Sequence, residues 1–134
     1  MIVFDQHSDF FNYINAALGV KFDPSNSRCI ASVTEDAKIL GVTMYSRFTP
    51  WNCELSVASS TPRFIDRGYL RAVFRYPFEQ LGLTRITAII EDGNSKAIEL
   101  DRRLGFIEEA TLKSWYGDKD GIVLRMLKDE CKWL

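Results

Sequence analysis

The residues able to do chemistry are few and scattered. His7 is the sole histidine, and the three cysteines, Cys29, Cys53 and Cys131, are widely spaced with no CxxC pair. Zinc is held by clustered thiolates and imidazoles at short spacings, so no metal site is expected. A Ser-His-Asp or Cys-His mechanism would have to use His7, which reads instead as a surface residue ahead of the first helix. The cysteines are expected to be reduced, mostly buried thiols of a cytoplasmic protein. Tyr45, Trp51, Trp115 and Tyr116 fall in or beside expected turns and strands. Such aromatics can line a ligand pocket, although at least two of the four are expected in the core or its rim.

Composition narrows the classes. The chain has 134 residues, 46% hydrophobic and 26% charged, which suits one compact soluble domain spanning 1–134. Seventeen Lys+Arg against 18 Asp+Glu leave a net charge of -1, so a general nucleic-acid binder is not expected. No apolar run approaches the roughly 20 residues of a membrane span. The start, Met1-Ile2-Val3-Phe4-Asp5, has no basic region and turns polar at once, so no signal peptide is expected.

The elements that must position any site follow from periodicity. Met1–Phe4 reads as a short strand. Ser8–Leu18 places Phe10, Phe11, Ile14, Ala17 and Leu18 at helical spacing, with Gly19 to end the helix. Cys29–Thr34 and Ile39–Phe48 read as a hairpin, and Cys53–Ala58 as an alternating strand. A helix is expected from about Arg67 to Leu81, kinked or broken in its last turn by Pro77. Arg85–Ile90 reads as a buried strand. Asp92-Gly93-Asn94-Ser95 supplies a turn and an N-cap for a helix that Gly105 ends. Phe106–Leu112 and Ile122–Leu127 close the chain as strands. The string is β-α-β-β-β-α-β-α-β-β, an α/β mixed sheet with one right-handed strand–helix–strand crossover at its centre. Ligands in such sheets sit where strand order or direction changes.

This order resembles the GNAT superfamily of N-acetyltransferases. The resemblance is carried by Phe74–Phe106: Tyr76-Pro77-Phe78-Glu79-Gln80-Leu81-Gly82-Leu83-Thr84-Arg85-Ile86, then Asn94 through Leu104-Gly105-Phe106. The ending, Ile122–Glu130, looks like the ribosomal-protein and small-amine subgroup. The resemblance implies transfer of acetyl from acetyl-CoA to a primary amine by direct attack. Val57, Ala58 and Ser59 would hold the pantetheine through their backbone, and Asn94 would hydrogen-bond it. Lys96 and Arg103 would help with the CoA phosphates. Glu54, on the strand before the CoA loop, is the candidate base.

The chain departs from the family at three positions. The CoA loop pattern is met best by Arg63-Phe64-Ile65-Asp66-Arg67-Gly68, with Asp66 in place of the first glycine. An Asp facing the loop would repel a diphosphate, and Arg63, Arg67 and Arg71 would offset it with side-chain contacts. The family's Ser is Ala97 here. The Tyr that protonates the departing thiolate in many members is Asp101, and an ionised Asp donates poorly. That task falls to Tyr116 or to water. Two readings follow: an active N-acetyltransferase taking a protein N-terminus or a small amine, and a GNAT-like CoA-binding or interaction module that has lost catalysis. The oligomeric state stays open, a homodimer included. The segment Val20–Arg28 must connect the first helix to the second strand with little regular structure.

Overall fold

The computed structural model describes residues 1–61 and 64–134. Strands β1 (Ile2–Val3), β2 (Arg28–Val33), β3 (Ile39–Ser46), β4 (Asn52–Ser59), β5 (Arg85–Glu91), β6 (Ile107–Leu112) and β7 (Gly121–Leu127) alternate with helices α1 (Ser8–Leu18), α2 (Arg67–Arg75) and α3 (Ser95–Leu104). The element order is the expected one. The strands form one sheet in the order β1-β2-β3-β4-β5-β7-β6. Every neighbouring pair is antiparallel except β4 and β5. The alternation of strand direction is therefore broken once, at the β4-α2-β5 crossover.

The helices cover the sheet according to where apolar side chains alternate. Phe11 and Ile14 of α1 pack with Cys29, Ala31, Val42, Met44 and Ala58 on one face. Leu70, Val73 and Phe74 of α2 and Leu104 of α3 pack with Ile30, Tyr45, Cys53, Leu55 and Ile86 on the other. Strand β4 serves both, because Cys53 and Leu55 point to one side and Ala58 to the other. His7 caps α1, its Nδ1 accepting from the Asp9 amide at 3.0 Å. Gly19 and Gly105 end α1 and α3 with φ of 66° and 112°, a left-handed region that glycine enters without penalty.

Two expectations change in detail. The helix expected to run to Leu81 is α-helical only to Arg75 and continues as a π-helical turn over Tyr76–Gln80. Pro77 lies at the start of that turn, where its missing N–H costs least. It is buried with Phe78. The Leu81 amide closes the turn on the Tyr76 carbonyl at 3.0 Å. Tyr45 is wholly buried, and its hydroxyl donates to the Val73 carbonyl at 2.6 Å, so it belongs to the core. Cys29 and Cys53 are fully buried free thiols, and burial pushes them up to about 11 and about 12, which makes them unreactive.

Gly41 on β3 is a packing requirement. A Cβ there would lie 2.3 Å from the ring of Phe64, the buried residue that leads into α2. Gly41→Ala is expected to destabilise the fold by about 1–3 kcal/mol, since the ring must leave its place. Urea unfolding of the variant checks this, and an unchanged midpoint would contradict it.

Candidate active site

Strands β4 and β5 are paired over only three positions, Asn52↔Arg85, Cys53↔Ile86 and Glu54↔Thr87. Beyond them β4 continues to Ser59 along β3, and β5 to Glu91 along β7. The two parallel strands part after Glu54 and Thr87, opening a wedge in the sheet. Val57, Ala58 and Ser59 lie on its β4 side. Glu54 stands at its vertex. A parted parallel pair leaves backbone groups along the opening free for a ligand.

On the α1 face the wedge floor belongs to a groove of about 920 Å³. Glu54 and Ser56 of β4 and Ile89 of β5 form its floor. The connection 20–28, the β3–β4 turn and the β6–β7 hairpin form its walls. Each wall is held by local bonds. Asn15 accepts from the Phe22 amide at 3.0 Å, and Asp23 accepts from the amide and hydroxyl of Ser25 at 2.9 and 2.8 Å. In the β3–β4 turn the Thr49 hydroxyl accepts from the Trp51 and Asn52 amides. In the hairpin the Asp120 carboxylate accepts from the Ser114 amide and Lys113, which fixes the turn presenting Trp115 and Tyr116.

Two titratable groups converge on this floor. Glu54 is paired with Arg47 at 3.1 Å. Partial burial pushes its carboxyl above the ordinary value, and the Arg47 guanidinium pulls it part of the way back. The Tyr116 hydroxyl donates to the Ile89 carbonyl at 3.2 Å. Burial first, then the Glu91 and Glu54 carboxylates, raise this phenol above its usual value, so it keeps its proton at neutral pH.

The opposite face carries α2 and α3. Asp66 caps α2, accepting from the Tyr69 amide at 2.7 Å. The carboxylate that replaces the family glycine thus occupies a first-turn amide that an anion would otherwise take. Gly68 follows in that first turn, and a Cβ there would meet nothing closer than the Asp66 carboxylate at 3.4 Å. Its small size is not demanded by the chain's own packing. Arg67 and Arg71 are exposed and unpaired among the described residues, and Arg63 lies outside them. Asn94 caps α3, its Oδ1 accepting from the Ala97 amide at 3.3 Å, which leaves its Nδ2 for a ligand. Arg102 pairs with Glu108 of β6, which turns that flank of α3 to the sheet edge. Lys96 and Arg103, seven residues apart, border the same shallow groove as Arg102, Glu108 and Ile122. Arg103 also pairs with Glu99 at 3.4 Å.

Asp101 is the anomaly of this face. It is 9% exposed, sits between Ala97 and Leu104 on the inner stripe of α3, and its carboxyl has no hydrogen-bond or ion-pair partner among the described residues. Burial alone pushes its carboxyl up to about 7. It therefore keeps its proton to a higher pH than an ordinary aspartate does.

The structure brings Glu54, Tyr116 and Trp115 to one groove, and leaves Trp51 67% exposed outside it. Sequence reasoning missed Arg28, Arg47 and Asp23 as groove residues. The hairpin signal at Thr49-Pro50-Trp51-Asn52 held the clue for Arg47, since a tight turn sets it beside Glu54. Nothing in the sequence pointed to the fold-back of Phe22–Arg28. Among the described residues no group of His, Cys, Asp and Glu is placed to hold a metal ion, and no helix is long and apolar enough to cross a membrane.

Neither a family model nor a curated protein matches the sequence. Solved structures match the fold. A chimera of the Vibrio cholerae spermidine N-acetyltransferase SpeG and hSSAT is 15% identical, with 96% of each chain covered and a TM-score of 0.74. A variant of the Vibrio cholerae SpeG enzyme is 19% identical, covering 81% of this chain and 69% of its own at a TM-score of 0.66. The Campylobacter jejuni N-acetyltransferase PseH, in complex with acetyl coenzyme A, is 19% identical, covering 78% and 70% at 0.61. The architecture of this chain is the GNAT-like fold of these N-acetyltransferases.

Proposed function

We propose that this chain is an N-acetyltransferase that moves an acetyl group from acetyl-CoA to a primary amine. The observation that carries the proposal is the wedge between β4 and β5, with Glu54 at its vertex and Tyr116 beside it. Acetyl-CoA fits this arrangement. The parted strand from Val57 to Ser59 offers backbone groups to the pantetheine, and Asn94 offers its amide nitrogen. Arg67, Lys96 and Arg103 supply positive charge for the phosphates, with Gly68 leaving room at the start of α2. Asp66 holds the Tyr69 amide, so phosphate binding rests on side chains more than on the helix terminus.

When bound, acetyl-CoA supplies an acetyl group activated as a thioester, which the amine nitrogen takes as the carbon–sulfur bond breaks. Glu54 accepts the proton that the amine gives up. Its raised carboxyl is a better match to that proton than an ordinary glutamate would be. Tyr116 holds a phenolic proton at the other wall of the floor and delivers it to the leaving sulfur. The acceptor enters along the groove on the α1 face, where Phe48, Trp115 and Tyr116 give it apolar walls. Protein N-termini and small amines are both acceptors to test, polyamines included, given the spermidine enzymes among the structural neighbours.

A second reading, a CoA-binding module without transfer, is favoured by the Asp66 cap and by Ala97 and Asp101 at motif positions. One experiment separates the two. At 100 times its Kd, acetyl-CoA is expected to add about 2.7 kcal/mol of stability, or about 10 °C in Tm. Release of free thiol with an amine panel then reports turnover. A melting shift without turnover favours the module, and no shift at all refutes both.

A further inference from the structure

We infer that the acceptor is a monoamine carrying an anionic group, a carboxylate near its amine, and not a polycation; this rests on the reading of the groove as the acceptor site. Its charged lining is Lys21, Arg28 and Arg47 against Asp23 and Glu54. Among the described residues only one of the two carboxylates is paired with a cation. Asp23 accepts two hydrogen bonds from Ser25, which hold its carboxyl below the ordinary value. Glu54 faces Arg47 at 3.1 Å. One ammonium can exchange with Arg47 at Glu54, and a second would find only Asp23, set beside Lys21 and Arg28.

Two of the three cations have no ion pair among the described residues. Lys21 is exposed and makes no ion pair among the described residues. Arg28 donates from one nitrogen, Nη1, to the carbonyls of Pro24 and Ser27 at 3.3 and 2.8 Å. These bonds orient the guanidinium without neutralising it. The groove thus presents one amine-accepting carboxylate on its floor and, on the wall of the 20–28 connection, Lys21 and Arg28 against Asp23 alone, an excess of positive charge. Uncompensated charge of one sign lining a cleft selects ligands of the other sign and repels its own. An amine followed by acidic groups, such as a peptide N-terminus ahead of aspartates, satisfies both ends.

The test uses the full chain and two otherwise identical tetrapeptides, with aspartate or lysine at the second and third positions, and spermidine beside them. Binding is read by calorimetry with and without saturating CoA, so the result stands whether or not transfer occurs. The aspartate peptide is expected to bind about tenfold or more tighter than the lysine peptide. That preference is expected to shrink with added salt and to fall severalfold in Arg28→Gln. Equal binding, tighter binding of spermidine, a preference untouched by Arg28→Gln, or no binding of any of the three overturns the inference. A preference without turnover supports the groove's selectivity while refuting acetyl transfer.

Discussion

Glu54→Gln is expected to lower kcat/KM for acetyl transfer about a hundredfold or more near pH 7, the usual effect of losing a positioned general base. The substitution keeps the side chain's volume and its ability to face Arg47, so stability should change little. The melting shift produced by acetyl-CoA should persist, because Glu54 lies on the acceptor side of the wedge. The pH profile carries a sharper signature. The base works when ionised, so the rate should fall on the acid side of its titration. Burial raises that titration above the ordinary glutamate value, and the acid limb should stand correspondingly higher. Arg47→Gln removes the guanidinium that opposes the shift, and should move the limb higher still. A Gln variant with wild-type kcat/KM, or a profile indifferent to Arg47, would remove Glu54 from the reaction.

Asp101→Asn is expected to stabilise the protein, and to do so only above acidic pH. In the folded chain burial raises this carboxyl from 3.8 to about 7. The native state therefore holds a proton that the unfolded state has released between those values. Stability falls as pH rises across that window and levels off above it. The full cost of ionising the buried group is up to about 4 kcal/mol. Asparagine cannot ionise, so the variant should gain up to that amount at pH 8 and almost nothing at pH 4. Urea unfolding at the two pH values measures both ends. Equal stability of the two proteins at pH 8 would show that the carboxyl is solvated or partnered in solution. A buried carboxyl that costs this much and bonds to nothing among the described residues is a stability cost of the kind associated with functional sites.

Secondary structure was legible because it is written in local patterns. Phe11 and Ile14 at helical spacing marked α1, and Gly19 and Gly105 marked helix ends through a backbone conformation that few other residues adopt. The alternation of Cys53 and Leu55 with Glu54 marked a strand with two different faces. Pro77 was legible as a disturbance in α2 but not as a π-helical turn, since the packing of Phe78 decides where the freed carbonyls go.

The site divides along the same line. The few cysteines and the lone His7 made a metal cluster something not to expect, because ligand types must be present before geometry can arrange them. Glu54 and Tyr116 were nameable, yet their meeting was not, for they are brought together by the crossover that parts β4 from β5 and by a hairpin that folds back over β5. Asp66 read as a misplaced charge in a phosphate loop, and only the backbone at the start of α2 made it a cap. Asp101 read as an ordinary ionised aspartate, and only burial without a partner made it an acid near neutrality. The sequence determined which elements form and which chemical groups exist. The tertiary structure decided which groups share a cleft and what state of charge each one keeps, because distance and desolvation belong to the folded chain and not to any stretch of it.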